Sequence, residues 1–422
     1  MNEQARAIHE WIQKHEAKGI RMLKRFVQEA STQGNEKNVQ AMVVEKLRQL
    51  GLEIDIWEPK IRDLKKHEAF VTARSSFRDS PNVVGVWKGS GGGRSLILNG
   101  HIDVVPEGDV KLWEDDPFSG KVKDGRLYGR GSTDMKGGNV AMILALEALI
   151  SLDISLKGDV IFQSVIEEES GGAGTLACIE RGYRADAAII PEPTNMKIFP
   201  KQQGSMWFRV VVHGMSAHGG TRYEGVSAIE KAMKVVQHLQ EFEKVRNARI
   251  TDPLYQSIPI PLPINIGKIA GGSWPSSVPD EVTIEGRIGV GPHETLTQVR
   301  EETATCLQKL SEIDSWFESH PIQLEWFGAH WLPSQMNMEH DLVTILTAQF
   351  RDVLGKDPIL EASPWGTDGG LLTNVGHTPT IVFGPGQTEM AHFPNEYIEL
   401  KKVFEAAEIL ALTILEWCGQ SK

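Results

Sequence analysis

ILNGHIDVVP, residues 97–106, is as apolar as a fully buried strand, yet it ends by delivering His101 and Asp103 two positions apart. Successive residues of a strand point to opposite faces, so these two share one. In open α/β sheets, ligands bind outside the C-terminal ends of the strands. A metal-bound imidazole commonly donates its other N–H to a carboxylate, and Asp103 is spaced to orient His101 in that way. Taken alone, such a pair is more often a hydrogen-bonded polar couple beside a loop.

Further apolar runs of strand length lie on either side: NVVGVW at 82–87, DVIFQSVI at 159–166, DAAIIPEP at 186–193 and PTIVFGPG at 379–386. Helical stretches such as 137–152 separate them. Buried runs alternating with helices predict an α/β fold with a mostly parallel central sheet flanked by helices. From residue 204 the texture changes. MWFRVVVHG alternates as a half-buried strand does, and EGVSAIEKAMKVVQHLQEF sets Val226, Ile229, Met233, Val236 and Leu239 on one helical stripe. PINIGKIAG, DEVTIEGRIGV, ETLTQVREETATCLQKLSEI and PIQLEWFG complete the order strand, helix, strand, strand, helix, strand. That order predicts a two-layer α+β domain over 204–331, inserted between residues 1–203 and 332–422 of the larger domain.

At 422 residues the chain exceeds one ordinary core, which agrees with two domains. A formal net charge of -12 argues against nucleic acid as a partner. The first 26 residues have the spacing of an amphipathic helix without the layout of a secretory signal. AMILALEALI, the most apolar helical run, is broken by Glu147 and is far short of a membrane span. A cytoplasmic protein with no membrane partner is expected. Cys178, Cys306 and Cys418 lack metal-type spacing and read as reduced core thiols.

More donors stand at the ends of the other runs. Asp134 lies in the Gly-rich turn of YGRGSTDMKGGN, Glu167, Glu168 and Glu169 follow a strand in VIEEESGGAG, Glu192 sits in IIPEPTN, and His392 in EMAHFPNEY. Singly each is weak, because Asp-rich and Gly-rich loops often only cap helices. Together they place two histidines and at least three carboxylates at successive strand ends. This set of N and O donors without thiolate suits two divalent cations, zinc first, with cobalt or manganese as substitutes. Adjacent glutamates can then divide the work of base and ligand.

GHIDVVP, GRGSTDMKGG, EEESGGAG, PEPT, GMSAHGG and AHFPNEY, in that order, span essentially the whole chain. In these stretches the protein resembles the dinuclear-zinc aminoacylases and deacylases, which include acetylornithine deacetylase, succinyl-diaminopimelate desuccinylase and carboxypeptidase G. The resemblance implies a zinc-exopeptidase-like fold whose inserted domain serves as lid and homodimer interface. It implies two zinc ions per subunit, with His101 and Glu192 on the first, Glu169 and His392 on the second, and Asp134 bridging. Glu168 is the implied general base, and Asp103 orients His101; Glu167 stands where many relatives have Asp. His218 in SAH would stabilise the oxyanion in the neighbouring subunit, and Arg287 would hold a substrate carboxylate. Asp368 in PWGTDGG and the backbone N–H groups of Gly384 and Gly386 would line the substrate pocket. Ser276 stands where relatives carry asparagine, a change that bears on the substrate rather than the reaction. His213 has no implied role.

The activity so implied is hydrolysis of the amide of a small N-acylated substrate, acetylornithine deacetylase-like. N-formyl aminopyrimidine deformylation of thiamin salvage, or dipeptidase or carboxypeptidase action, are the alternatives within the family. A dinuclear phosphohydrolase would need added basic residues for phosphate. A non-catalytic binding protein would have no need to retain Glu168 beside every ligand.

Overall fold

In the computed structural model, which describes residues 3–421, the stretch that opens the analysis forms the strand Leu96–His101, buried along its whole length. It lies between two parallel neighbours, Val160–Val165 and Ala187–Ile190, and Thr380–Val382 extends the parallel run. Strands this apolar are buried on both faces, which is why they pair in parallel beneath covering helices. Antiparallel pairing is confined to the flanks. Glu53–Trp57 pairs with Asn82–Trp87, which pairs with Val160–Val165, and on the other side Thr380–Val382 meets Ile198–Gln202. The mostly parallel central sheet is therefore present, within nine strands in all.

Helix Gly137–Ser151 is buried from Gly137 through Leu149 and packs against Glu3–Gln28 and Leu400–Cys418. Its one carboxylate in that buried run, Glu147, is matched by Lys18 and by Lys46 at 2.7 Å. Cys178, Cys306 and Cys418 are free and buried. No helix among the described residues is long and apolar enough to cross a membrane.

The chain divides into two compact units. One runs to Lys201 and resumes with Ser334–Ser363 and from Thr367; the other is Gln202–Pro333 with Pro364–Gly366. The second unit is a four-stranded antiparallel sheet in the order Ile264–Gly271, Glu281–Val290, Gly204–His213, Gln323–Trp331. Val210, Val212, Ile284 and Ile288 of that sheet form one core with Val235, Leu239, Val299 and Leu307 of the helices Ala228–Asn247 and Leu296–Gln308.

One expected stripe is corrected. Helix Ala228–Asn247 buries Ala228, Ala232, Val235, Leu239 and Phe242, while Ile229 and Met233 are exposed and Val226 precedes the helix. Small alanines take the sheet-facing positions, which lets the helix approach closely. The larger apolar residues are left about 100° round the helix, at one residue's rotation.

Candidate metal centre

His101 closes its strand at 2% exposure. Its Nδ1 lies 2.8 Å from the main-chain carbonyl of Asp103, and a carbonyl can only accept, so the Nδ1 proton is donated there. Nε2 of a neutral ring must then present its lone pair. It faces two acceptors, Asp134 Oδ1 at 3.0 Å and Glu192 Oε1 at 3.6 Å. Such an arrangement holds together only with a second proton on the ring or a cation between the groups.

The same conflict recurs at the other side of Asp134. His392 Nε2 lies 3.3 Å from Asp134 Oδ2 and 3.1 Å from Glu169 Oε1. The two oxygens of Asp134 thus reach toward different histidines, as a bridging carboxylate does. Atoms of His101, Asp134 and Glu169 lie within 4.8 Å of one another, and so do atoms of His101, Glu168 and Glu192.

Electrostatics express the crowding of negative charge. Burial raises the Glu192 carboxyl to about 8 against the pull of His101. Burial also holds Asp103 and Glu168 well above the carboxylate range. At His392 burial opposes the charge, yet Glu169 and Asp134 lift the imidazole to about 11. Asp134 goes the other way: burial resists its charge, but His101 and His392 hold it below its ordinary value. Hard and borderline donors packed this tightly, with acceptors facing acceptors, fit a pair of divalent cations.

The three consecutive glutamates separate in space. Glu167 adopts φ 64°, a left-handed conformation uncommon outside glycine, and so turns the chain at the strand end. Its carboxylate accepts from Arg74 at 2.9 Å, from Gln33 at 3.1 Å and from Thr72 at 3.2 Å. Glu168 and Glu169 are left to the cluster. Their amides donate to Asp103 Oδ1 and Oδ2, each at 3.3 Å.

Asp103 therefore orients His101 through its carbonyl and not through its carboxylate, whose nearest oxygen is 3.7 Å from Nδ1. Two residues beyond the histidine, the backbone itself folds back to the ring and frees the side chain to hold the Glu168–Glu169 turn.

Asp368 comes close enough for its charge to raise Glu168. Rather than line a pocket wall, it is 1% exposed and accepts from Thr175 Oγ1 at 2.6 Å; Thr175 in turn accepts from Asn99 at 2.9 Å. Gly384 is also corrected as an open N–H donor, because its amide is spent on Thr194 Oγ1 at 3.0 Å. Both glycines of GPG also serve close approach. A Cβ at Gly384 would lie 2.3 Å from Pro191 O, and one at Gly386 2.3 Å from Thr133 O, so the loop backs the turns that carry Glu192 and Asp134.

His218, Ser276 and Arg287 belong to the second unit. His218 is exposed and pairs with Ser277, and Ser276 O accepts from Gly219 N at 2.7 Å, so His218 and Ser276 are neighbours there. Arg287 stands opposite Trp207 and Asn265 in its sheet. Arg130 and Glu396 had drawn no role, although both lie inside quoted motifs. They form a buried ion pair at 2.7 Å between the Asp134 turn and the His392 loop.

Comparison with known proteins adds the following. Residues 97–416 match the profile of peptidase family M20/M25/M40. An N-formyl-4-amino-5-aminomethyl-2-methylpyrimidine deformylase of Halalkalibacterium halodurans is 35% identical over 88% of this chain and 87% of its own. The enzyme so named from Bacillus subtilis is 31% identical over the full length of both. Acetylornithine deacetylase of Pectobacterium carotovorum is 29% identical over 79% of this chain and 82% of its own. Among solved structures, a tripeptidase of Staphylococcus aureus shares the fold with a TM-score of 0.72 at 24% identity, over 96% of this chain and 98% of that one.

Proposed function

The chain belongs to peptidase family M20/M25/M40, and from that premise we propose that it hydrolyses an N-formylated aminopyrimidine to formate and the free amine. Amide-bond hydrolysis is the activity its relatives share. The observation that carries the finer reading is the 35% identity over 88% of the chain to a deformylase, against 29% over 79% to an acetylornithine deacetylase. Acetylornithine-like deacylation, the first expectation, draws the weaker support.

Held in the cluster, two divalent cations, zinc by preference, would acidify water and polarise the amide carbonyl. His101 and Glu192 would hold one, Glu169 and His392 the other, and Asp134 both; the two-sided reach of Asp134 supports that division. Glu168 would take a proton from the attacking water and return it to the departing amine. Its burial beside His101 and Glu192 supports the role, since burial raises the carboxylate's affinity for a proton. Asp103 fixes the His101 tautomer through its carbonyl and steadies Glu168 through its carboxylate.

The second unit contributes to the same reading. The Arg287 side chain makes no hydrogen bond or ion pair among the described residues, and burial lowers its guanidinium to about 10, which supports a role in holding a polar substrate group. A homodimer in which His218 serves the partner subunit's oxyanion is supported by the exposure of Ile229 and Met233 on one helix and Ile269 on an edge strand.

The test is release of free amine from zinc-loaded protein offered the N-formyl aminopyrimidine, N-acetylornithine and N-succinyl amino acids side by side. The formyl substrate should give the highest kcat/KM. Faster turnover of an N-acyl amino acid would return the assignment to the deacetylase reading.

A further inference from the structure

Two ligand-bearing loops come from opposite ends of the sequence and must meet at one spacing. Asp134 follows the strand Arg126–Tyr128, and His392 precedes the strand Tyr397–Glu399; these strands pair with each other, Tyr397 opposite Tyr128. Just past the paired ends stand Arg130 and Glu396, 2% and 0% exposed.

Their hydrogen bonds run to both loops. Arg130 Nη1 donates to Glu396 Oε2 at 2.7 Å, and Nη2 donates to the carbonyl of His392 at 3.2 Å. Glu396 Oε1 accepts the amides of Thr133 at 2.9 Å and Asp134 at 3.2 Å. The pair thus ties the main chain of one ligand to the main chain of the other.

The two histidines depend on it unequally. His101 is fixed by strand register and by its own Nδ1 bond. His392 has a 52% exposed side chain, a positive φ of 66°, and no hydrogen bond from Nδ1 among the described residues. Apart from the Nε2 contacts within the cluster, its ring is aimed by its loop, and Arg130 holds that loop's carbonyl.

Resting on the metal-dependent reading above, we propose that the buried Arg130–Glu396 pair is a positioning clamp that sets the spacing of Asp134 and His392 and so the affinity for the second cation. Both are buried, so they act through the ligands and not as catalytic residues. Removing one partner outright would leave an unpaired buried charge and endanger folding. Two gentler variants avoid this: Arg130→Lys keeps the charge but loses the planar fork, and Glu396→Gln keeps the shape.

Titrate metal-free protein with Co2+ against a competing chelator, following the visible d–d bands, and record the melting temperature of the metal-free form. Wild type should bind two ions. Each variant should weaken the looser ion by about 10–100-fold, the usual cost of losing an outer partner of a metal ligand, and shift its bands while the tighter ion changes little. Lys46→Met, which breaks a buried ion pair at Glu147, is the control for general destabilisation.

Wild-type affinity for both ions in either variant would overturn the clamp, and so would equal loss of both ions matching Lys46→Met. A wild type that binds no cobalt would instead sink the metal-dependent reading itself, so the two failures are distinct.

Discussion

His101 and Asp103 were legible as chemistry because a buried strand has no cheap use for either, whereas the atoms they use were not. Spacing puts both side chains on one face, but the chain leaves the sheet at His101, and past that point strand alternation no longer governs Asp103. Glu167, Glu168 and Glu169 present the same difficulty. Three identical residues in a row are told apart only by the left-handed turn at Glu167 and by Arg74, 93 positions earlier. Arg130 and Glu396 escaped notice because a buried pair 266 positions apart cancels its charge and leaves no pattern. With the roles so divided, Glu168→Gln should keep both cations and the fold while turnover falls by about 100-fold or more, the usual scale of acid–base catalysis. Metal content by atomic emission alongside single-substrate kinetics checks it, and near-normal turnover would move the base to another residue.

Elements were easiest to read where burial was complete. The central strands and the helix from Gly137 stood out because continuous apolar runs leave little choice of face. The helix Ala228–Asn247 was harder, since apolar residues surround more than half of it and alanine carries little signal. What pins its solvent side is Asp314, which accepts from Lys231 at 2.6 Å and from Lys234 at 2.7 Å and caps Trp316 N at 3.0 Å. Although burial opposes it, the two lysines hold the Asp314 carboxyl below the ordinary range. A depressed carboxyl stabilises the folded state fully above its unfolded value of about 3.9 and loses that contribution as pH falls. Asp314→Asn keeps the cap but removes the charge, so it should cost about 1 kcal/mol at pH 7. The difference from wild type should begin to shrink below about pH 4 and close only as pH falls on through the lower folded-state value, as followed by thermal denaturation. A gap that stays constant with pH would assign the loss to shape instead of charge.

At the scale of the whole molecule, the fold class was readable because alternation of strand and helix dictates it, and the inserted unit announced itself by a change of strand texture at residue 204. Assembly would leave only a faint trace in the chain, since a helix at an interface reads like a core helix until its inner face is known. Once Ala228, Ala232 and Val235 are seen to face the sheet, Ile229 and Met233 are left as exposed apolar residues. If a second copy covers them and His218 acts across the interface, complementation has a definite arithmetic. Two inactive variants, His218→Ala and Glu168→Gln, are denatured together and refolded as an equal mixture. Random pairing gives half mixed dimers, each with one site that owns its glutamate and borrows an intact histidine, so activity should return to about a quarter of wild type. A histidine acting within its own chain leaves every site in the mixture defective. Recovery in the mixture, set against none in either variant refolded alone, therefore separates service to the neighbour from service at home.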